Sequence, residues 1–183
     1  MPSTSLLIAG AGANNADAGN VAWSNPGRVT SSDGSLANSE LKSTGATTQY
    51  LHATNFGFSI PSNAIIDGIV ARVMRSVNVV GNGQASDHTV QLIVGGIRSG
   101  SNNAAPGNWV KGNPANADYG GSADAWGLSL TASNVNSSNF GLAVRAQSTL
   151  NAPNCQVDAI WLQIYYSQPK ASIMMHSYRQ RRV

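Results

Sequence analysis

The chain has 183 residues, of which 42% are hydrophobic and only 10% are charged, against about 25% charged residues in an average soluble domain. This length suits one domain with a sizeable core, and the shortage of Glu and Lys argues against long surface helices. Seven basic and eight acidic residues precede Gln168, so the net charge of +3 comes from the last sixteen residues, which excludes a basic domain for duplex DNA.

The first twenty residues raise the possibility of a nucleotide site. The apolar run in SLLIAGAGANNADAG leads into Gly10-x-Gly12, which is how a dinucleotide-binding turn begins. That turn also needs a third Gly or Ala, a following helix and an acidic residue about 20 positions on. Asn15 occupies the third position and turn-forming residues follow. We therefore interpret the two glycines as the end of an N-terminal strand or arm, and we predict an N-terminal arm over residues 1–20.

Strand patterns dominate the rest of the chain. Period-two alternation begins in TTQYLHATNFGFSIP and ends at Pro61. The longest strand candidate is Ala64 to Val80, with Arg72 on one face and Arg75 on the other. A Gly- and Asn-rich connection separates it from the next strand, HTVQLIVGGIR, so we expect the two strands to form a hairpin.

Residues 99–125 show no sustained period, and such a long loop is commonly functional or ordered by a partner. Trp109 and Tyr119 lie in this loop. Exposed aromatic faces could stack on a sugar, whereas buried ones would anchor the loop on the body or contact another protein. Both interpretations stay open, and we name Trp109 and Tyr119 as the candidate partner-binding residues of this loop.

The last part of the body predicts more strands and one short helical turn. We expect WGLSL to resume strand structure and TASNVNSSNF to form one helical turn, capped by Thr131 or Ser133. The closing strand, CQVDAIWLQIYYS, is apolar on both faces, with Val157, Ala159 and Trp161 expected to point the same way.

These patterns together predict the fold class. About eight strands, no long helix and no alternation of strands with helices indicate an all-β protein, an antiparallel β-sandwich with jelly-roll topology. We place the sandwich at residues 21–168, between extended N- and C-terminal arms at residues 1–20 and 169–183.

The cysteine content and the hydropathy pattern limit the cell compartment. Cys155 is the only cysteine, which excludes an intrachain disulfide and a zinc site of several cysteines. No apolar stretch approaches the roughly 20 residues of a membrane span, and the N-terminus lacks the basic start of a signal peptide. We expect a protein that is made in the cytoplasm, is not exported by the general route and has no membrane partner.

Catalytic and metal-binding patterns are sparse. The sequence has no nucleophile elbow, zinc-protease motif or phosphate-binding loop, and its acidic residues are scattered among turns. His52 and His88 are expected to have packing or turn roles. Asp33 with Glu40 could hold Ca²⁺, but an Asx turn at Asp33-Gly34 is the favoured interpretation. We therefore predict no catalytic residue, no cofactor and no metal site.

A resemblance to a known family rests on the order of several motifs. A Trp-x-Asn-Pro turn, an Asp-Gly-Ser segment, YLHATNFGFSIP and AIIDGI are followed by NFGLAVRA and VDAIWLQIYY. From about Val21 to Ser167 the chain resembles a β-sandwich domain of tailed-phage and prophage virion proteins, found in capsid decoration (cement), tail fibre and tail-tip chains. The resemblance implies a virion structural component, assembled in the host cytoplasm, and no enzyme.

We expect a capsid decoration or cement subunit whose partners are other virion proteins, either the major capsid protein or tail proteins. The alternative is a receptor- or glycan-binding module of a tail fibre or tail tip. Interface-building subunits are commonly symmetric homo-oligomers, and a trimer would fit the local three-fold axes of a capsid.

The C-terminal arm combines apolar and basic side chains, which is unusual for a free solvated tail. We expect it to lie across a neighbouring subunit, burying its methionines and pairing its arginines with acidic groups. The alternatives are a salt-sensitive contact with packaged nucleic acid and a tail that is simply solvated. The predicted partner-binding residues of the arm are Met174, Met175, Tyr178, Arg179, Arg181 and Arg182.

Overall fold

The computed structural model describes residues 2–78 and 82–169. Ten strands in these ranges form two five-stranded antiparallel sheets that pack on each other, which confirms the predicted antiparallel β-sandwich. Jelly-roll connectivity stays a prediction. Sheet A contains β1 (Leu7–Ile8), β3 (Ala37–Glu40), β5 (Ile65–Asn78), β8 (Ala115–Gly121) and β10 (Asn154–Ser167). Sheet B contains β2 (Ala11–Asn15), β4 (Tyr50–Thr54), β6 (Gln84–Val94), β7 (Ile97–Ser99) and β9 (Gly141–Leu150).

Sheet A is built around β10. This strand pairs with β5 along its length, and its other edge pairs with β3 near its start and with β1 further on. The register shifts between Val157 and Ala159, so Asp158 forms a bulge. The bulge turns Val157 into the core with Ile160, while Ala159 and Trp161 point outward. The predicted common face for Val157, Ala159 and Trp161 is therefore wrong.

Sheet B has the strand order β2-β4-β9-β6-β7. Since β5 belongs to sheet A and β6 to sheet B, the predicted β5–β6 hairpin is wrong, and the connection crosses from one sheet to the other. The hairpin instead joins β6 to β7 through Gly95 and Gly96, whose φ angles are 60° and 84°. Two successive residues at positive φ match the twist of the flanking strands, and glycine adopts this conformation without strain.

The N-terminal residues are integrated into both sheets. β1 pairs with β10 and β2 pairs with β4, so the predicted boundary at residue 20 lies within the sandwich. Gly10 lies where the chain crosses between the sheets, and its N–H is 3.0 Å from the carbonyl oxygens of Thr54 and Asn55. A Cβ at Gly10 would clash with Asn55. The glycines therefore permit close backbone approach, in agreement with their interpretation as the end of a strand.

The predicted helical turn is present, and the segment before it is not a strand. α1 spans Ala132–Asn136 and has Thr131 as its N-cap. The Thr131 side chain accepts a hydrogen bond from Asn134 N at 3.2 Å, and the Asn134 side chain accepts one from Thr131 N at 2.9 Å. Trp126, which was expected to begin a strand, has a φ of 58° in a turn. Its indole is fully buried in the common core of the two sheets.

Candidate functional site

Trp109 and Tyr119 are both buried, with 2% and 3% of their surface exposed. Neither presents a ring face to solvent, so the expectation of an exposed aromatic platform in residues 99–125 is wrong. The burial agrees with the alternative that these residues anchor the loop. Residues 115–121 of the same segment form β8, an edge strand paired with β5.

The two aromatic residues surround a buried carboxylate. Asp87, whose side chain is 0% exposed, accepts hydrogen bonds from Trp109 Nε1 at 2.7 Å and from Tyr119 Oη at 3.0 Å. It also accepts from Ala105 N at 3.1 Å, and it pairs with Arg75 Nη2 at 3.2 Å. The guanidinium lies 4.8 Å from the Trp109 ring centroid. Both carboxylate oxygens of Asp87 thus accept hydrogen bonds from groups of the chain itself.

The protonation of Tyr119 fits this arrangement. Its hydroxyl accepts from Arg75 Nε at 2.8 Å and donates its proton to Asp87. Burial, and then the charge of Asp87, raise the pKa of Tyr119 above its ordinary value, so the phenol stays a donor. The cluster ties together β5 of sheet A, β6 of sheet B and the loop. It acts as an internal clamp between the sheets.

The other candidate residues have local roles. Asp33 accepts a hydrogen bond from Ser35 N at 2.8 Å, which confirms the predicted Asx turn, and Glu40 pairs with Lys42 at 2.7 Å. Burial raises the pKa of the Cys155 thiol to about 12, as expected for a buried apolar cysteine. Within residues 2–78 and 82–169, no group of three or more His, Cys, Asp or Glu side chains converges. No helix in these ranges is long and apolar enough to cross a bilayer.

A groove of about 620 Å³ lies beside the bulge of β10. Asp158 lines it, but this carboxylate is 3% exposed and accepts hydrogen bonds from Gly34 N at 3.1 Å and Ser32 Oγ at 3.2 Å. Gln156, on the same wall, is bonded to Ser76 and Asn38. The side chains of Asp158 and Gln156 in this groove are therefore already bonded within the chain.

The outward surface of sheet A departs from the usual pattern of an antiparallel sheet. One face of such a sheet packs on the core, and its other face is normally polar. Here the solvent side carries several apolar side chains at intermediate exposure. We name this surface the outer A face and define it by its side chains: Leu6, Ile8, Val70, Arg72, Met74, Asp118, Trp161 and Gln163.

One row of the outer A face runs straight across four strands. Ile8 of β1 pairs with Trp161 of β10, Trp161 pairs with Arg72 of β5, and Arg72 pairs with Asp118 of β8. Trp161 is the one tryptophan of the chain that is not buried. The row therefore has an apolar half and a charged half.

The charged half of the row is an internal ion pair. Arg72 donates from Nε and Nη2 to the two carboxylate oxygens of Asp118, both at 2.7 Å. This bond lowers the pKa of Asp118 and raises the pKa of Arg72, so both groups are charged at neutral pH. Since the two charges cancel, the outer A face has no net charge.

Sequence reasoning missed this surface although part of its signal was visible. The pattern of β10 is apolar on both sides, which indicated a central strand. The structure shows that only one side of β10 enters the core. The sequence did not reveal that β1 lies beside Trp161, because the pairing of two strands this far apart leaves no local pattern.

The predicted partner-binding residues of the C-terminal arm (Met174, Met175, Tyr178, Arg179, Arg181 and Arg182) lie outside the described residues. Their assignment stays a prediction.

The fold and this surface define a class: an all-β antiparallel sandwich that presents a mixed apolar and charged sheet face. Comparisons with protein-family models, with curated proteins and with solved structures returned no match.

Proposed function

We propose that this chain is a structural subunit that works by forming protein–protein interfaces, and that it is a virion component of a tailed phage. Within the particle we assign it the role of a capsid decoration or cement subunit without catalytic activity. The motif order from Val21 to Ser167 supports the phage assignment as a resemblance. The two-sheet sandwich is compatible with that resemblance.

The observation that carries the proposal is the outer A face. Tryptophan and arginine are the residue types most enriched at interface centres, and there they are surrounded by apolar contacts that exclude water. Trp161 and Arg72 are neighbours in the same row, with Ile8 and Val70 beside them. The buried carboxylate of Asp87, by contrast, is already bonded to Trp109, Tyr119 and Arg75.

A cement subunit resists internal pressure by adding contact area between neighbouring chains. In this proposal the sandwich supplies a rigid body, and the basic segment from Lys170 to Val183 supplies the contact with the particle. That segment holds four of the eleven basic residues of the chain, and the body before Gln168 has a net charge of −1. An acidic surface of the major capsid protein would suit such a segment.

The alternative of a glycan-binding module is not favoured by any observation on the described residues. Its two stacking residues, Trp109 and Tyr119, are buried. We therefore expect no signal from the purified chain on a glycan array.

The test of this proposal uses virions of the phage or prophage that encodes this chain. The full-length chain, tagged at its N-terminus, should co-purify with intact particles through a density gradient. Reversing the three arginines of the arm (Arg179→Glu, Arg181→Glu and Arg182→Glu) should lower its occupancy on particles at least about tenfold, because several charge-assisted contacts are lost together.

A matched control has the same charge change on the body: Arg28→Glu, Lys42→Glu and Lys111→Glu, all at exposed positions. This control should bind like the unchanged chain. Absence of the full-length chain from particles would refute the virion assignment. Equal occupancy of both triple variants would refute the role of the arm.

A further inference from the structure

We propose that the outer A face binds the same face of a second copy of this chain, so that two sheets A pack face to face about a twofold axis. This inference rests on the proposed function, in which the chain acts through protein interfaces. It adds the identity of one partner and the residues that the two copies use.

The row across sheet A is suited to such a pairing. A twofold axis parallel to the strands reverses the row, because it places the β10 side of one copy over the β5 side of the other. Centred between β10 and β5, the axis sets Trp161 against Arg72 of the partner subunit, and Arg72 against Trp161 of the partner subunit. A guanidinium over an indole face is the most favourable cation–π geometry in proteins. Each dimer contains this contact twice, as a twofold interface requires.

The neighbouring positions permit close approach. In the next row, Gln163 pairs with Val70, and Val70 pairs with Gly120, which has no side chain. This second row carries no charged side chain, and the first row carries only the paired Arg72 and Asp118. Two sheets of a sandwich pack about 10 Å apart when their facing side chains interdigitate, and a face with small and apolar neighbours around one large ring allows that spacing.

Charge balance favours a second copy over a strongly charged partner. Arg72 is held in a two-bond pair with Asp118, with side chains 35% and 49% exposed, so the face is neutral while containing both signs. A strongly acidic or basic partner would leave its own charges uncompensated against this surface. In the reversed row Arg72 faces Trp161 of the partner subunit and Ile8 faces Asp118 of the partner subunit, so no like charges face each other.

The test measures self-association of the full-length chain by sedimentation and by light scattering over a range of concentrations. We expect a dimer that dissociates on dilution. Trp161→Ala and Arg72→Ala should each weaken the dimer at least about tenfold, since either change removes both Trp–Arg contacts. Ile97→Ala, an exposed apolar position on β7 of sheet B (71% exposed), is the matched control and should leave association unchanged.

Mixing the two variants distinguishes a direct contact from a loss of folding. A mixed pair of Trp161→Ala and Arg72→Ala chains keeps one intact Trp–Arg contact, whereas neither variant alone keeps any. The mixture should therefore associate more tightly than either variant does by itself. Thermal melts of each variant alone, followed by circular dichroism, check that the body is folded.

Four results would overturn the inference: a monomer at every concentration, a trimer, a dimer that Trp161→Ala leaves intact, or a mixture that gains nothing over the separate variants. None of these results bears on whether the chain co-purifies with particles, so failure here and failure of the virion assignment are separable.

Discussion

At the scale of single residues, Asp87 is a position held by contacts with several elements of the sandwich. Its carboxylate is fully buried and is held by Arg75, Trp109 and Tyr119. A buried charge pair contributes modest net stability compared with an apolar replacement, but the removal of one partner leaves the other uncompensated. The clamp is therefore sensitive to any change that breaks only half of it.

We predict that Asp87→Ala lowers the free energy of unfolding by about 3–5 kcal/mol, because it leaves the Arg75 guanidinium buried without its counter-charge. Urea unfolding followed by tryptophan fluorescence and circular dichroism measures this loss. Asp118→Ala breaks an ion pair that is partly exposed to solvent and should cost no more than about 1 kcal/mol. Equal losses for the two variants would contradict the clamp.

At the scale of elements, the short helix α1 depends on its first residue. Two residues were candidates for the N-cap. The structure selects Thr131, whose hydroxyl oxygen accepts a hydrogen bond from Asn134 N. We predict that Thr131→Ala lowers the free energy of unfolding by about 0.5–2 kcal/mol, the range for loss of a capping side chain. Ser133→Ala is the control and should have a smaller effect. A larger loss for Ser133→Ala in chemical denaturation would show that the cap is misassigned.

The elements also show how far the sequence determines the fold. The alternation of Phe56, Phe58 and Ile60 correctly predicts which side chains are buried, although this segment is not assigned to a strand. β5 was predicted almost to its ends, because its pattern is long and regular. β8 was missed, since ANADYGG has few residues with strand propensity and forms a strand only through pairing with β5.

Pairing partners were the part that the sequence could not supply. The hairpin of β5 with β6 was a reasonable local inference, but neighbouring strands in the chain can enter opposite sheets of a sandwich. The candidate site depends on such distant pairings, since Ile8 and Trp161 are brought together from opposite ends of the chain. For Trp109 and Tyr119 the sequence left an exposed platform and a buried anchor both open, because it shows that a residue is aromatic but not whether it packs against a buried carboxylate.

At the scale of the whole molecule, acid sensitivity follows from groups on both sheets. Burial, and then the charge of Arg98, lower the pKa of His52, and burial, and then the charge of Arg145, lower the pKa of His88. His52 Nε2 is buried and lacks a hydrogen-bond partner among the described residues, so protonation there would bury an uncompensated charge. Both histidines are thus accommodated in their neutral form.

The sign of the pH effect follows from these shifts. The two histidines bind protons at a higher pH in the unfolded chain than in the folded chain. The free energy of unfolding therefore keeps its full histidine contribution above the ordinary histidine pKa of about 6.5. This contribution is lost as the pH falls through the lower pKa values of the folded chain. The pKa of Asp118 is lowered by its bond to Arg72, so its contribution is lost at more acidic pH, below about 4. The melting temperature should therefore decline in two stages.

Single substitutions separate the two stages of acid destabilisation. His52→Gln should reduce the decline of the melting temperature between about pH 7 and about pH 5 while leaving the more acidic stage in place. Asp118→Asn should do the reverse, because it removes a carboxylate and leaves both histidines unchanged. Scanning calorimetry across the pH range measures both slopes. If His52→Gln leaves the first stage unaltered, that stage originates in His88 or in the segments joined to His88. This result would refute the assignment of acid sensitivity to the imidazole of His52 on β4.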